Sequence, residues 1–203
     1  MGREEMPMSE VVARICHKND SIRLFWSGAN GWAPLEVAKL LSKARLDWQV
    51  SMSFTLMNAT SKGLTRKSDG DLILAWVTLR SLTEGTLKWF LSVHFEDYKK
   101  SVMVFDKKGN LRDPSGSMLA WLRVFFHKHV WDENCSWDHF IEKVQRNGNA
   151  IHTYESRKLD DNEVLFKAIR EYLSFVEELD GHVPYPDEGY RKIFQPWQSY
   201  LIP

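Results

Sequence analysis

Cysteine is scarce: Cys16 and Cys135 are the only two in 203 residues. They cannot frame a disulfide-stapled scaffold, and the expected compartment is reducing. Net charge is also absent, with 27 basic residues against 27 acidic ones. A chain without a global positive field does not advertise a nucleic acid or a membrane surface, so any RNA binding must come from a local patch. No stretch reaches the roughly 18 uncharged residues that span a bilayer. The opening Met1-Gly2-Arg3-Glu4-Glu5-Met6 lacks the apolar run of a signal peptide. A cytoplasmic location with no membrane partner is the resulting expectation. Repeats of fixed period and low-complexity tracts are missing too.

What the chain does have is apolar residues, 43% of the total, enough for one continuous core. The expectation is a single domain over 1–203, with a core at about 34–181 and an irregular tail at 183–203 rich in proline and aromatic residues. Periodicity predicts an all-α fold, an up-and-down bundle of about five helices. Leu35, Ala38, Leu41, Trp48, Met52 and Leu56 behind Pro34 predict one helix over about 34–61. After a break at Ser68-Asp69-Gly70-Asp71, the stripe Leu72, Trp76, Leu79, Leu87, Phe90 and Leu91 predicts a long helix ending near Ser101. Asp113-Pro114 is expected to start a third helix, and Ser136 a fourth. Asp160 with Glu163 is expected to cap a last one that stops at Gly181. The first 30 residues suggest no more than one short helix near 9–18.

Chemistry concentrates in Arg146-Asn147-Gly148-Asn149-Ala150-Ile151-His152-Thr153-Tyr154. Arginine keeps its charge at any working pH and offers a planar fork to phosphate oxygens, while histidine titrates near neutrality and can move a proton. RNA brings its own nucleophile, the 2′-hydroxyl. A base for that proton and a cation for the crowded phosphorane suffice for transesterification, so no metal and no cofactor is required. The spacing makes a demand, however. Six residues of regular helix turn through roughly 600° and rise about 9 Å, which leaves Arg146 and His152 on different faces. Either the helix breaks at Asn147-Gly148-Asn149, or two copies meet across a two-fold axis and share one cleft.

Arg146, Asn147 and His152, with five residues between Arg and His, resemble the HEPN superfamily. Its mark is Arg, four to six arbitrary residues, then His, often with Asn after the Arg. The resemblance covers about residues 70 to 180. It implies a helical bundle that dimerises so that both motifs line one cleft, with Arg146 and His152 as catalytic residues. It further implies a metal-independent endoribonuclease of a toxin–antitoxin or phage-defence system, with RNA as substrate and an antitoxin or defence protein as partner. In one toxin branch the motif extends to His-x-Tyr, the tyrosine being modified with AMP by the antitoxin, and His152-Thr153-Tyr154 fits it. Asn147 would orient the phosphate or support the motif turn. The commoner spacing in the family is four, and five with Gly148 inside keeps a second reading open, a non-catalytic module that binds nucleotide, RNA or protein.

Other features have plainer explanations beside the functional ones. Glu84, next to Gly85 in the long helix, could orient His152 or Arg146, or could be an ordinary paired carboxylate. His127, His129, Cys135 and His139 include zinc-ligand types, but their spacing matches no familiar zinc pattern. Trp76, Trp89, Trp121, Trp131 and Trp137 fit core or a dimer interface better than base stacking. Lys99, Lys100, Lys107, Lys108 and Arg112 fit a solvated loop better than an RNA funnel.

Overall fold

The computed structural model describes residues 6–60, 68–132, 135–152 and 159–185. Among them the fold is all-α, with one isolated β-bridge, Phe105 to Leu111, closing the turn at Gly109. The described residues form eight α-helices where about five were expected: α1 Met8–Trp26, α2 Leu35–Lys43, α3 Leu46–Thr60, α4 Asp69–Val93, α5 Phe95–Tyr98, α6 Leu119–His129, α7 Trp137–Gly148 and α8 Asn162–Gly181. No helix among the described residues is long and apolar enough to cross a membrane. The tail from 186 onward lies outside the described residues.

The extra helices have local causes. The segment expected as one helix over 34–61 is two, because Ala44 leaves the helical region (φ −67°, ψ 131°) and the chain bends into α3. The long helix stops at Val93, and His94 (φ −92°, ψ 31°) separates it from α5. The expected break at Ser68-Asp69-Gly70-Asp71 is the helix start itself, a capping box: the Ser68 hydroxyl accepts the Asp71 N–H, and the Asp71 carboxylate accepts the Ser68 N–H. Asp113-Pro114 caps only a 3-10 turn at Pro114–Gly116, and α6 begins five residues after Pro114, at Leu119. The α8 cap is Asp161, which accepts the Val164 N–H at 3.0 Å, leaving Asp160 for other work.

The largest difference is α1, a 19-residue helix where only a short one was expected. Its buried stripe is Val11, Val12, Ile15, Cys16, Asn19, Ile22 and Trp26, a 3.6-residue period with an asparagine in the middle. The buried face of α3 is Leu46, Gln49, Ser53 and Leu56, equally regular and half polar. Trp48, expected on the apolar stripe, points outward and is 57% exposed.

These polar residues meet at the centre of the molecule. Asn19 donates to Ser53 (2.7 Å), and Gln49 donates to the Leu82 carbonyl (2.8 Å) and the Thr86 hydroxyl (3.0 Å). Tyr172 is 3.0 Å from the Thr86 hydroxyl and 3.4 Å from both amides. Thr86 gives its own hydrogen to the Leu82 carbonyl (2.9 Å), so Tyr172 is the donor of that pair. The network joins α1, α3, α4 and α8. Gly85 makes room for it: a Cβ there would lie 2.1 Å from the Gln49 amide oxygen.

One hydrophobic cluster surrounds this centre and takes side chains from every helix. The expected tryptophans join it, Trp76 and Trp89 buried and Trp121, Trp131 and Trp137 packed against its edge. Helix α4 is the axis. Helix α3 runs antiparallel to it, with Gln49 beside Gly85 and Thr55 beside Thr78. Helix α8 runs parallel, with Trp76 Nε1–H donating to the Asp160 carbonyl at one end and Tyr172 on Thr86 further along. Helix α6 is also parallel to α4, with Leu119 beside Glu84 and Phe126 against Phe90. A strict up-and-down order therefore does not hold, because the linking segment between α5 and α6 carries the chain back before α6 starts. Helix α7 is antiparallel to α8 through Trp137–Glu178, Lys143–Glu171 and Asn147–Asp160.

Candidate functional site

The Arg146-to-His152 stretch sits where α7 ends and α8 begins. The helix does not break at Gly148, whose backbone is helical (φ −67°, ψ −21°), and a 3-10 turn, Asn149–Ile151, continues it. Of the two arrangements that would bring Arg146 and His152 together, the local break is thus absent. Gly148 has a different job. A Cβ on it would lie 2.6 Å from both Cβ and Cδ of Arg80, so the missing side chain lets α7 close onto α4.

The stretch divides cleanly into inward and outward residues. Asn147, Gly148 and Ala150 are buried, whereas Arg146, Ile151 and His152 are exposed. Asn147 is 1% exposed and nearly saturated. Its amide donates to the Lys143 carbonyl (2.9 Å) and to the Asp160 carboxylate (2.8 Å), and its oxygen accepts the Asp160 N–H (2.9 Å). Of its two expected roles, orienting a phosphate or supporting the turn, this geometry serves the second. It pins the end of α7 to the residues before α8.

Arg146 reaches the same carboxylate, Nη2 to Asp160 Oδ2 at 2.5 Å, with its side chain 60% exposed. Asp160 was expected as a helix cap. It is instead the anchor of the motif, and its place thirteen residues after Asn147 gave no local signal. The remaining guanidinium N–H groups of Arg146 stay available at the surface. His152 closes the 3-10 turn, its backbone N–H donating to Asn149 O at 3.1 Å. Tyr154 lies outside the described residues.

Glu84 does not join this group. Its carboxylate accepts from Lys88 (2.7 Å) and from the backbone N–H of Leu119 (3.2 Å). The latter supplies the cap that Met118 lacks at the start of α6. Glu84 is thus a paired carboxylate, and its Oε2 also lies 3.8 Å from Nη2 of Arg80. Arg80, one turn earlier, is the α4 side chain that lies against the motif helix, and its buried Nε has no hydrogen-bond partner.

Among the described residues no group of three or more His, Cys, Asp or Glu side chains is placed to hold a metal ion. His129 and Cys135 line one cavity that excludes His127 and His139. Burial pushes the Cys16 thiol up to about 12, which leaves it protonated and inert as a nucleophile near neutral pH. Of the basic loop, Lys99 is paired with Glu36 and Glu96 and Lys100 with Asp97, and Arg112 lies 4.9 Å over the Trp121 ring. Both lysines stand beyond the C-terminal end of α4, away from Arg80 in the middle of that helix, which meets the motif.

No protein-family model matches the chain, and no curated protein and no solved structure matches it.

Proposed function

We propose that the protein is a homodimeric, metal-independent endoribonuclease of the HEPN type, acting in a toxin–antitoxin or phage-defence system. The observation that carries the reading is the division of the motif, in which its cation and its imidazole reach solvent from one helix end while Asn147, Gly148 and Ala150 between them are buried in the core. A rigid, exposed Arg and His pair is what a composite cleft needs from each copy. Ile151, 47% exposed next to His152, gives this helix end an apolar contact for a second copy.

In the proposed reaction the His152 imidazole removes the proton of the RNA 2′-hydroxyl, and the 2′-oxygen attacks the adjacent phosphorus. Arg146 offers its free N–H groups to the non-bridging oxygens as charge builds on them. The bond to the 5′-oxygen breaks, and an imidazolium returns the proton to it. The products are a 2′,3′-cyclic phosphate and a 5′-hydroxyl. The reading is tested by RNA cleavage in EDTA, with light scattering on the same preparation. A dimer with chelator-resistant cleavage that His152→Ala and Arg146→Ala abolish supports it, and cleavage that needs a divalent ion or survives the His152 change sinks it.

One observation favours a second reading, the non-catalytic module. Asn147 is spent on structure and Arg146 already holds a carboxylate, so the motif can serve as an α7–α8 clasp that binds RNA or a protein without cutting. An RNA mobility shift with no cleavage selects that reading.

A further inference from the structure

A cavity of about 1020 Å³ opens at the far end of α4, between its last turn, α5, the end of α6 and the end of α8. Small-molecule sites typically occupy roughly 300–1,000 Å³. Arg80 and His94 are fourteen residues apart on α4 and its cap, so this cavity lies about 20 Å along the axis from the Arg146 region. It is independent of the ribonuclease reading.

Its walls are aromatic, with Phe90, Tyr98, Phe125 and Trp131 facing the hollow. Two histidines are layered on them, His94 at 4.5 Å from Phe90 and His129 at 4.9 Å from Phe125. The formal charges around it are the carboxylates of Asp97, Asp132 and Glu178 against one ammonium, Lys100. That ammonium is 2.6 Å from Asp97, which neutralises both and leaves Asp132 and Glu178 as the uncompensated charges. Such a setting repels phosphates and carboxylates and attracts cations, both through its charge and through the negative faces of its rings.

The wall also holds an unpartnered ring nitrogen. His94 Nε2 is buried with no hydrogen-bond partner. A neutral imidazole has one donor and one acceptor nitrogen, and an N–H donor placed beside Nε2 selects the tautomer whose lone pair is there. Burial holds the His94 imidazole below its usual value, which keeps it neutral near pH 7.

We propose that this cavity binds an organic cation, an amine with an aromatic or alkyl body, which lies against Phe90, Phe125 and Trp131 and turns its N–H donors to His94 and to the Asp132 and Glu178 carboxylates. The test uses the full chain and two probes of one skeleton and opposite charge, phenethylamine and phenylacetate, titrated by calorimetry. Chemical-shift mapping on 15N-labelled protein locates the site through the Trp131 indole N–H. The expected result is saturable phenethylamine binding at least tenfold tighter than that of phenylacetate, with the Trp131 signal moving. Glu178 and Asp132 are exposed, so Glu178→Gln with Asp132→Asn leaves the fold intact and should weaken phenethylamine severalfold. Equal binding of the two probes, tighter binding of phenylacetate, no binding at millimolar concentration, or an unmoved Trp131 signal would each overturn the proposal.

Discussion

Two polar regions of this molecule follow opposite designs. At the centre, Asn19, Gln49, Ser53, Thr86 and Tyr172 are buried together and satisfy one another. At the α7–α8 junction, Asn147 is buried and saturated, but its neighbours Arg146 and His152 are left at the surface. A closed network fixes which helices meet and in what register, because each unmet partner inside would cost about 1–3 kcal/mol. A half-open one holds a backbone still while offering side chains to something else. The difference separates polar groups closed inside the fold from polar groups that reach its surface.

The sharpest way to break the central region is Gly85→Ala. The new Cβ would overlap the Gln49 amide at 2.1 Å, and that amide cannot move without losing Leu82 and Thr86. The expected cost is about 3 kcal/mol. In a chain of this size that is a fall of roughly 6–12 °C in melting temperature, read by calorimetry.

Asn147→Ala tests the buried half of the junction. It strands the Asp160 N–H and removes a donor from its carboxylate, so a loss of about 2 kcal/mol is expected in a denaturant melt. An unchanged midpoint would mean that the junction is not held by this clasp.

Gly148→Ala should cost about 1–2 kcal/mol, the overlap with Arg80 being partly offset by alanine's better helix propensity. Combining it with Arg80→Ala removes the Cδ contact and keeps the Cβ one, so a double-mutant cycle should show partial relief. Strict additivity would show that α4 does not press on Gly148.

The smallest effect expected is of pH. Burial lowers the pKa of His94 and of His17 below the ordinary 6.5. The folded state then binds fewer protons than the unfolded chain, so this stability is complete above pH 6.5 and lost as pH falls through the folded values. Melting temperature should decline on acidification from pH 7, less steeply in His94→Gln. Identical slopes would remove His94 from the account.

The same contrast explains what the sequence made legible. Helices with apolar stripes could be read: the body of α4 from Leu72, the end of α8 at Gly181, and the segment of α7. Helices α1 and α3 could be read only in part, α1 as a short helix near 9–18 and α3 as the second half of one helix over about 34–61, because their buried faces carry Asn19, Gln49 and Ser53, and hydrophobic periodicity counts such residues as outward. At the site, Arg146, Asn147 and His152 were visible as a run of residue types. Asp160 looked like a cap and Arg80 carried no signal at all, since both reach the motif only through helix packing. Glu84 was visible for its place beside Gly85, but the space at Gly85 belongs to Gln49. The cavity was beyond reach because its walls come from four separate segments.

The most direct test of the claim that the exposed half of the junction is functional compares His152→Ala with wild type in two readouts, melting temperature and RNA cleavage in EDTA. An unchanged melting temperature with cleavage lost by about 10²-fold or more is the predicted result. A fall in melting temperature like that of Asn147→Ala, or cleavage that persists in the variant, would contradict it.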